Sequence, residues 1–235
     1  FSELKFSNWK KSLVKGFVSG KPFWDKIKQG DIMLHVPYQS YEPVLQFIND
    51  AADDPDVLAI KMTLYRTSNH SVITAALERA ARNGKQVTVF VELKARFDEK
   101  QNISWADRLE RAGAIVVYGI VNLKVHGKLM LVVRREQTGV KRYVHFSTGN
   151  YNEKTANLYS DISVFTGNYE IATDASLFFN MISGYSAIQT MTRMFMAPIN
   201  IKTKVLSMID REIQSASPEK PGLIMAKMNS LADED

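Results

Sequence analysis

Residues 57–118 read VLAIKMTLYRTSNHSVITAALERAARNGKQVTVFVELKARFDEKQNISWADRLERAGAIVVY, apolar β-rich runs alternating with helical patterns. Val57 to Tyr65 is a short, mostly apolar run, the signature of a buried strand. Val72, Ile73, Ala76, Leu77 and Ala80 then recur at helical spacing, and Asn83-Gly84 supplies a stop. Gln86 to Leu93 predicts a second strand, residues 103–111 a second amphipathic helix closed by Ala112-Gly113, and Ile115 to Tyr118 a third strand. Strand–helix–strand–helix–strand order implies right-handed crossovers and parallel strands. No proline lies between Asp56 and Ala197, which leaves the stretch free to form continuous helices and central strands.

Downstream the pattern changes. Residues 128–134 and 140–146 are two strand patterns around Glu136-Gln137-Thr138-Gly139, a hairpin signal. Residues 161–165 predict one more strand and residues 169–182 a helix. The expected fold class is therefore α/β, a mixed β-sheet flanked by helices. A further helix is expected from about Lys202 to Ser215, a break at 218–222, and a last strand over 223–228. Upstream, residues 1–36 hold scattered aromatics and read as a segment that packs on something ahead of it. The expected organisation is a segment 1–36, a main domain 37–200, and residues 201–235 as the opening of a second domain.

Composition narrows the function. The chain has 235 residues, 45% hydrophobic and 23% charged, which argues against a disordered chain. Cysteine is absent, so a disulfide framework, a thiolate zinc site and a cysteine nucleophile are ruled out. No apolar run approaches the roughly 18 residues of a spanning helix, and the first residues lack a signal-peptide core. The net charge of +5 invites a polyanion. Seven lysines against two acids up to Lys28 account for that excess, and residues 124–142 carry a second local one, six bases to Glu136. Neither GxxxxGK[ST] nor GxGxxG occurs, so phosphoryl chemistry, if present, must run through histidine.

Of the four histidines, His35 in an apolar run reads as a hydrogen-bonded core residue and His70 as a cap or surface residue. His126 differs. Lys124 and Lys128 flank it at i−2 and i+2, so on a strand all three side chains share a face. Cations beside an imidazole oppose its protonation, leaving a neutral nucleophile that also gathers anions. The hairpin would bring the strand of His145 alongside. The run after it, with Ser147, Thr148, Gly149, Asn150 and Asn152, suits a nest of backbone N–H groups for phosphate. Arg66 and Arg96 follow two parallel strands, whose carboxyl ends are where such sheets bind ligands, and guanidinium forks suit phosphate oxygens.

His126-Gly127-Lys128 with Gly149-Asn150-Tyr151-Asn152 resembles the HxK…GSxN half-site of the phospholipase D superfamily, except that Val133 stands where that superfamily carries Asp. A closer resemblance covers nearly the whole chain. LAIKMTLYR, NGKQVTVFVELKARFDE, LKVHGKLMLVVRRE, YVHFSTGNYNEKTANLYSD and IDREI are similar to the large, phospholipase-D-like polyphosphate kinases, a family that also lacks that Asp. The resemblance implies a phospholipase-D-like catalytic domain that is part of a longer enzyme, transferring the terminal phosphate of ATP to polyphosphate. It implies His126 as the phosphorylated histidine and His145 as a second essential histidine, an acid or base. It further implies Tyr159 as an ATP contact, with Arg66 and Arg96 associated with magnesium through bound phosphate. Lys124, Lys128, Gly149, Asn150 and Asn152 would bind phosphate. With it come ATP, ADP and polyphosphate as partners, Mg2+ as cofactor, and a homo-oligomer at full length. A cytoplasmic setting is implied, with peripheral membrane association as the alternative, and no nucleic acid is expected. The chain alone is expected to be inactive as a kinase. The competing readings are a phospholipase-D-like phosphodiesterase and a non-catalytic polyanion-binding module.

Overall fold

The structure, a computed structural model, describes residues 10–14, 17, 22–65, 71–92, 99–119, 123–184 and 189–228, with only the backbone for 99–104. The chain divides into two compact units, 1–192 and 193–235. In the first unit, α1 (Trp24–Gln29) and β1 (Ile32–Val36) lead to α2 (Glu42–Asp53) and β2 (Val57–Leu64). Then come α3 (Val72–Arg82), β3 (Gln86–Val91), α4 (Glu99–Arg111) and β4 (Ile115–Tyr118). The hairpin β5 (Lys128–Glu136) and β6 (Gly139–Ser147) follows, then β7 (Asp161–Thr166) and α5 (Tyr169–Ile182). The second unit holds α6 (Ile201–Ser215).

The seven strands form one sheet in the order β1-β7-β6-β5-β2-β3-β4. β2, β3 and β4 run parallel, as the crossover pattern requires, and every other pairing is antiparallel. The helices between the parallel strands have identifiable ends. Ser71 caps α3, its Oγ accepting from Ile73 N at 3.1 Å, and Gly84 at φ +79° ends it in a left-handed conformation that costs a Cβ-free residue nothing. α2 carries Pro43 in its first turn, where the missing N–H has no helical partner to lose.

Each sheet face has its own cover. On one face Ile60, Met62, Val89, Met130, Val132, Tyr143 and Phe165 join the core with Trp24, Phe47, Leu77 and Trp105 of the helices α1 to α4. Phe165 meets Phe23 and Phe47 edge-on at 4.9 and 5.4 Å between centroids. Each such side chain withdrawn from water contributes roughly 1.5–3 kcal/mol. α5 packs on the opposite face, where Phe179 lies against Phe90 at 5.5 Å.

The described residues add three details to the expected organisation. The first 36 residues contribute β1 to the sheet and Phe17, Phe23, Trp24 and Ile27 to the core, so their described part packs on its own chain. The unit boundary falls at Thr192/Arg193 rather than at 200, because Ile199 and Asn200 hydrogen-bond back to Met196 and belong with α6. Residues 223–228 form no strand. Leu223 is 70% and Met225 86% exposed, and a strand needs a neighbouring strand to pair with, which the described residues of that unit do not supply.

Candidate active site

β5 runs antiparallel to β2, so its first residue lies beside the carboxyl end of β2. The ends of β2 and β3 and the entrance of β5 therefore share one rim of the sheet. His126 belongs to residues 124–127, which enter β5 without being strand. The expected strand through Lys124, His126 and Lys128 is shortened, since pairing with β2 stops at Met62–Met130 and pairing with β6 at Lys128–Ser147. Lys128 still reaches its neighbour. Its Nζ lies 3.1 Å from His126 Nδ1 and 2.9 Å from Nε2, and donates to His126 O at 2.6 Å. Tyr65, just past β2, sets its ring 5.6 Å from the imidazole and 5.7 Å below the ammonium.

The electrostatics follow the sequence argument. Partial burial, then the Lys128 and Lys124 charges, hold the His126 imidazole below its usual pKa, so it is neutral at pH 7. Burial pulls Lys128 down to about 8, against the opposing pull of Asp161. Lys128 is 8% exposed, whereas His126 sits at the surface.

Two buried groups, neither singled out by the sequence reading, hold the backbone around His126. Thr63 of β2 donates from Oγ to Gly127 O at 2.6 Å and accepts from Leu129 N at 3.0 Å. Glu92, just after β3, accepts from Val125 N at 3.1 Å. An acid inside the apolar run QVTVFVEL was the one available signal for Glu92; Thr63 gave none.

His145 pairs with Met130 on β5 and Phe165 on β7, so the hairpin does bring its strand alongside. Its ring, however, faces the core. It is 0% exposed, lies 4.6 Å from the Phe165 ring, and meets Tyr151 Oη through Nδ1 at 2.8 Å. Nε2 is buried with no hydrogen-bond partner. Burial pushes its pKa down to about 3. The sheet thus brings its backbone to the site and keeps its imidazole inside, because both faces of a central strand are covered.

The turn after β6 spends its amides internally. Thr148 N donates to Ile162 O at 3.0 Å, Gly149 N to Ser147 Oγ at 3.0 Å, and Asn152 N to Asn150 O at 2.8 Å. Asn152 Oδ1 accepts from Lys154 N and Thr155 N at 2.9 and 3.2 Å, as a cap for the short helical turn that follows. Asn150 Oδ1 is buried and unpaired. The expected N–H nest at Gly149, Asn150 and Asn152 is therefore largely self-satisfied. A Cβ at Gly149 would meet Asp161 Oδ2 at 2.5, Cγ at 2.7 and Cβ at 2.9 Å, so only glycine admits this approach. Tyr151 anchors the turn on His145, and Glu153 accepts from Ser71 Oγ and Val72 N at 3.1 and 3.0 Å at the start of α3.

Tyr159 is 63% exposed, two residues before Asp161, which acts on Lys128. Ser160 between them bonds His35 Nε2 at 3.0 Å; His35 is half-buried on β1. Arg66, His70 and Arg96 lie outside the described residues.

Comparisons now bear on this geometry. The family model described as polyphosphate kinase C-terminal domain 1 matches residues 22–188, and the model for C-terminal domain 2 matches 194–235. The polyphosphate kinase of Rhodopirellula baltica is 53% identical over 207 residues, covering 88% of this chain and 24% of that protein. That of Halalkalibacterium halodurans is 52% identical over 210 residues, covering 89% of this chain and 30% of that protein. The chain thus spans about a quarter to a third of the length of these curated relatives. The crystal structure of polyphosphate kinase from Porphyromonas gingivalis superposes with a TM-score of 0.80 at 36% identity, over 90% of this chain and 35% of that one. Nuc of Salmonella typhimurium, a phospholipase D family member, matches at TM-score 0.50 and 15% identity over 66% of this chain and 93% of that one, a likeness of fold alone. Sheet, helices and family model agree over the same residues, and the chain belongs to the polyphosphate kinase family.

Proposed function

We propose that this chain supplies the phosphohistidine part of a polyphosphate kinase, which moves the terminal phosphate of ATP to polyphosphate and back. The observation that carries the proposal is a neutral His126 at the surface with a buried ammonium against its ring nitrogens. An imidazole lone pair attacks the γ-phosphorus, the bond to the β,γ-bridging oxygen breaks, and ADP leaves with that electron pair. A terminal oxygen of polyphosphate then attacks the same phosphorus, and the P–N bond breaks. Lys128 and Lys124 stabilise charge on the equatorial oxygens, the main source of rate in such transfers. Arg66 and Arg96 would add to them, and Tyr159 would contact ATP.

A lone-pair attack by neutral imidazole needs no base. The burial of His145 weighs against an acid or base role for it and favours a supporting one, through Tyr151, on the turn carrying Gly149 and Asn150. Among the described residues no group of three or more His, Asp or Glu could hold a metal, and guanidinium offers no lone pair, so these residues do not fit a protein-held magnesium. Magnesium is assigned to the nucleotide phosphates as part of the substrate. No helix among the described residues is long and apolar enough to cross a membrane. The homo-oligomer and the cytoplasmic setting rest on the family resemblance.

The test is a full-length protein carrying this chain, incubated with γ-labelled ATP. Acid-labile, base-stable label that disappears in His126→Ala is expected, and undiminished label in that variant overturns the proposal. The 235-residue chain alone is expected to make little or no polyphosphate.

A further inference from the structure

A nucleophile on an irregular segment loses rate unless something other than a strand ladder fixes it, since a misplacement of about 1 Å can cost roughly 100-fold. His126 is in that position. The β2–β5 ladder ends at Met62–Met130, short of it. Beyond that point Thr63 takes over with its side chain. Its hydroxyl has one proton, donated to Gly127 O at 2.6 Å, and it accepts the Leu129 N–H at 3.0 Å. On the other side of the imidazole the Glu92 carboxylate accepts the Val125 N–H at 3.1 Å. Thr63 and Glu92 are 3% and 2% exposed, so water does not compete for these bonds. Val125 and Lys128, which bracket the histidine, are buried as well, at 7% and 8%. The imidazole thus projects from a ribbon held at three backbone atoms by two parallel strands.

We propose that Thr63 and Glu92 are positioning residues for His126, clamping residues 125–129 so that its ring meets phosphorus and keeps its contact with Lys128. This rests on the phosphohistidine reading. Thr63→Val removes the hydroxyl at nearly constant volume, leaves Gly127 O without its donor, and frees the segment. Glu92→Leu does the same for Val125 N. Thr63→Ser keeps the hydroxyl.

In a full-length protein carrying this chain, Thr63→Val and Glu92→Leu are expected to slow phosphohistidine formation by roughly 10–100-fold, with KM for ATP changed less than about threefold. Thr63→Ser is expected to stay within about threefold of wild type. A second readout does not depend on kinase activity. The NMR titration of His126 in the same proteins should move upward in Thr63→Val, because a displaced ribbon lessens the burial and loosens the Lys128 contact that together hold the imidazole down. Wild-type rates in Thr63→Val, failure of Thr63→Ser to restore them, or an unmoved His126 titration would each overturn the clamp. If wild type itself forms no phosphohistidine, the functional reading falls, and the titration still decides the clamp.

Discussion

Gly149→Ala puts a methyl group where the Asp161 side chain already lies. The new Cβ would sit 2.5 Å from Oδ2, 2.7 Å from Cγ and 2.9 Å from Cβ of Asp161. An oxygen at the end of a flexible chain could swing aside, but the Asp161 Cβ is fixed by its own backbone, and that backbone is paired with Val36. Relief therefore requires the turn and β7 to move apart. The movement also breaks the bond from Thr148 Oγ1 to Asp161 Oδ1, 2.9 Å long. Overpacking and the lost charged hydrogen bond together predict a cost of about 2–3 kcal/mol. For a unit of this size that lowers Tm by about 4–12 °C. Urea and thermal unfolding of the 235-residue chain, followed by circular dichroism, measure it. In an Asp161→Ala background only the 2.9 Å contact remains, so Gly149→Ala should cost less there. A Tm within about 1 °C of wild type, or strict additivity with Asp161→Ala, would refute the close-approach reasoning.

Burial keeps His145 neutral in the folded state, with a pKa of about 3, whereas the unfolded chain binds its proton near 6.5. The stability it contributes is therefore complete above pH 6.5 and drains away as pH falls towards 3, by about 1.4 kcal/mol per unit. Unfolding midpoints between pH 4.5 and 7 should show that slope in wild type and a flatter one in His145→Asn. At the far end of the hairpin, burial alone would raise the Glu136 carboxyl, but hydrogen bonds from Tyr143, Lys28 and Arg134 at 2.7, 2.9 and 2.8 Å hold it at about 2. Glu136→Gln should cost about 1–3 kcal/mol in urea unfolding at pH 7, and much less at pH 2, where wild type is losing the charge too.

The parallel half of the sheet and the β5–β6 hairpin were legible because each rests on local signals. Asn83-Gly84 stops α3, apolar spacing marks the faces, and Glu136 and Gly139 bracket a two-residue turn. α2 is not marked by local signals, since its Pro43 reads as punctuation in the sequence yet occupies a first helical turn. Residues 223–228 have a strand's composition but no strand to pair with among the described residues, and pairing is not a property of one segment. At the site, the downward shift of His126 has partial burial as its larger cause, and the part due to two lysines within two residues was legible in the sequence. The clamp was not, since Thr63 and Glu92 approach it only through the crossing of two strands. The burial of His145 was recoverable in principle, because the strand order puts β6 in the middle of the sheet, where both faces are covered.

The strand order also sets a timetable. β1 is synthesised before its sheet partner β7, which follows about 130 residues later. At ribosomal speeds of about 5–20 residues per second, Ile32 waits about 7–27 seconds for Phe165. Until then Phe23 lacks Phe165, and the apolar side of α2 has no β7 to cover. The hairpin and the parallel strands can assemble from nearby sequence, but the sheet closes only when its last strand arrives to join its first. A nascent chain stopped short of Asp161 would carry an unpaired β1 and exposed aromatics, the kind of surface that chaperones bind.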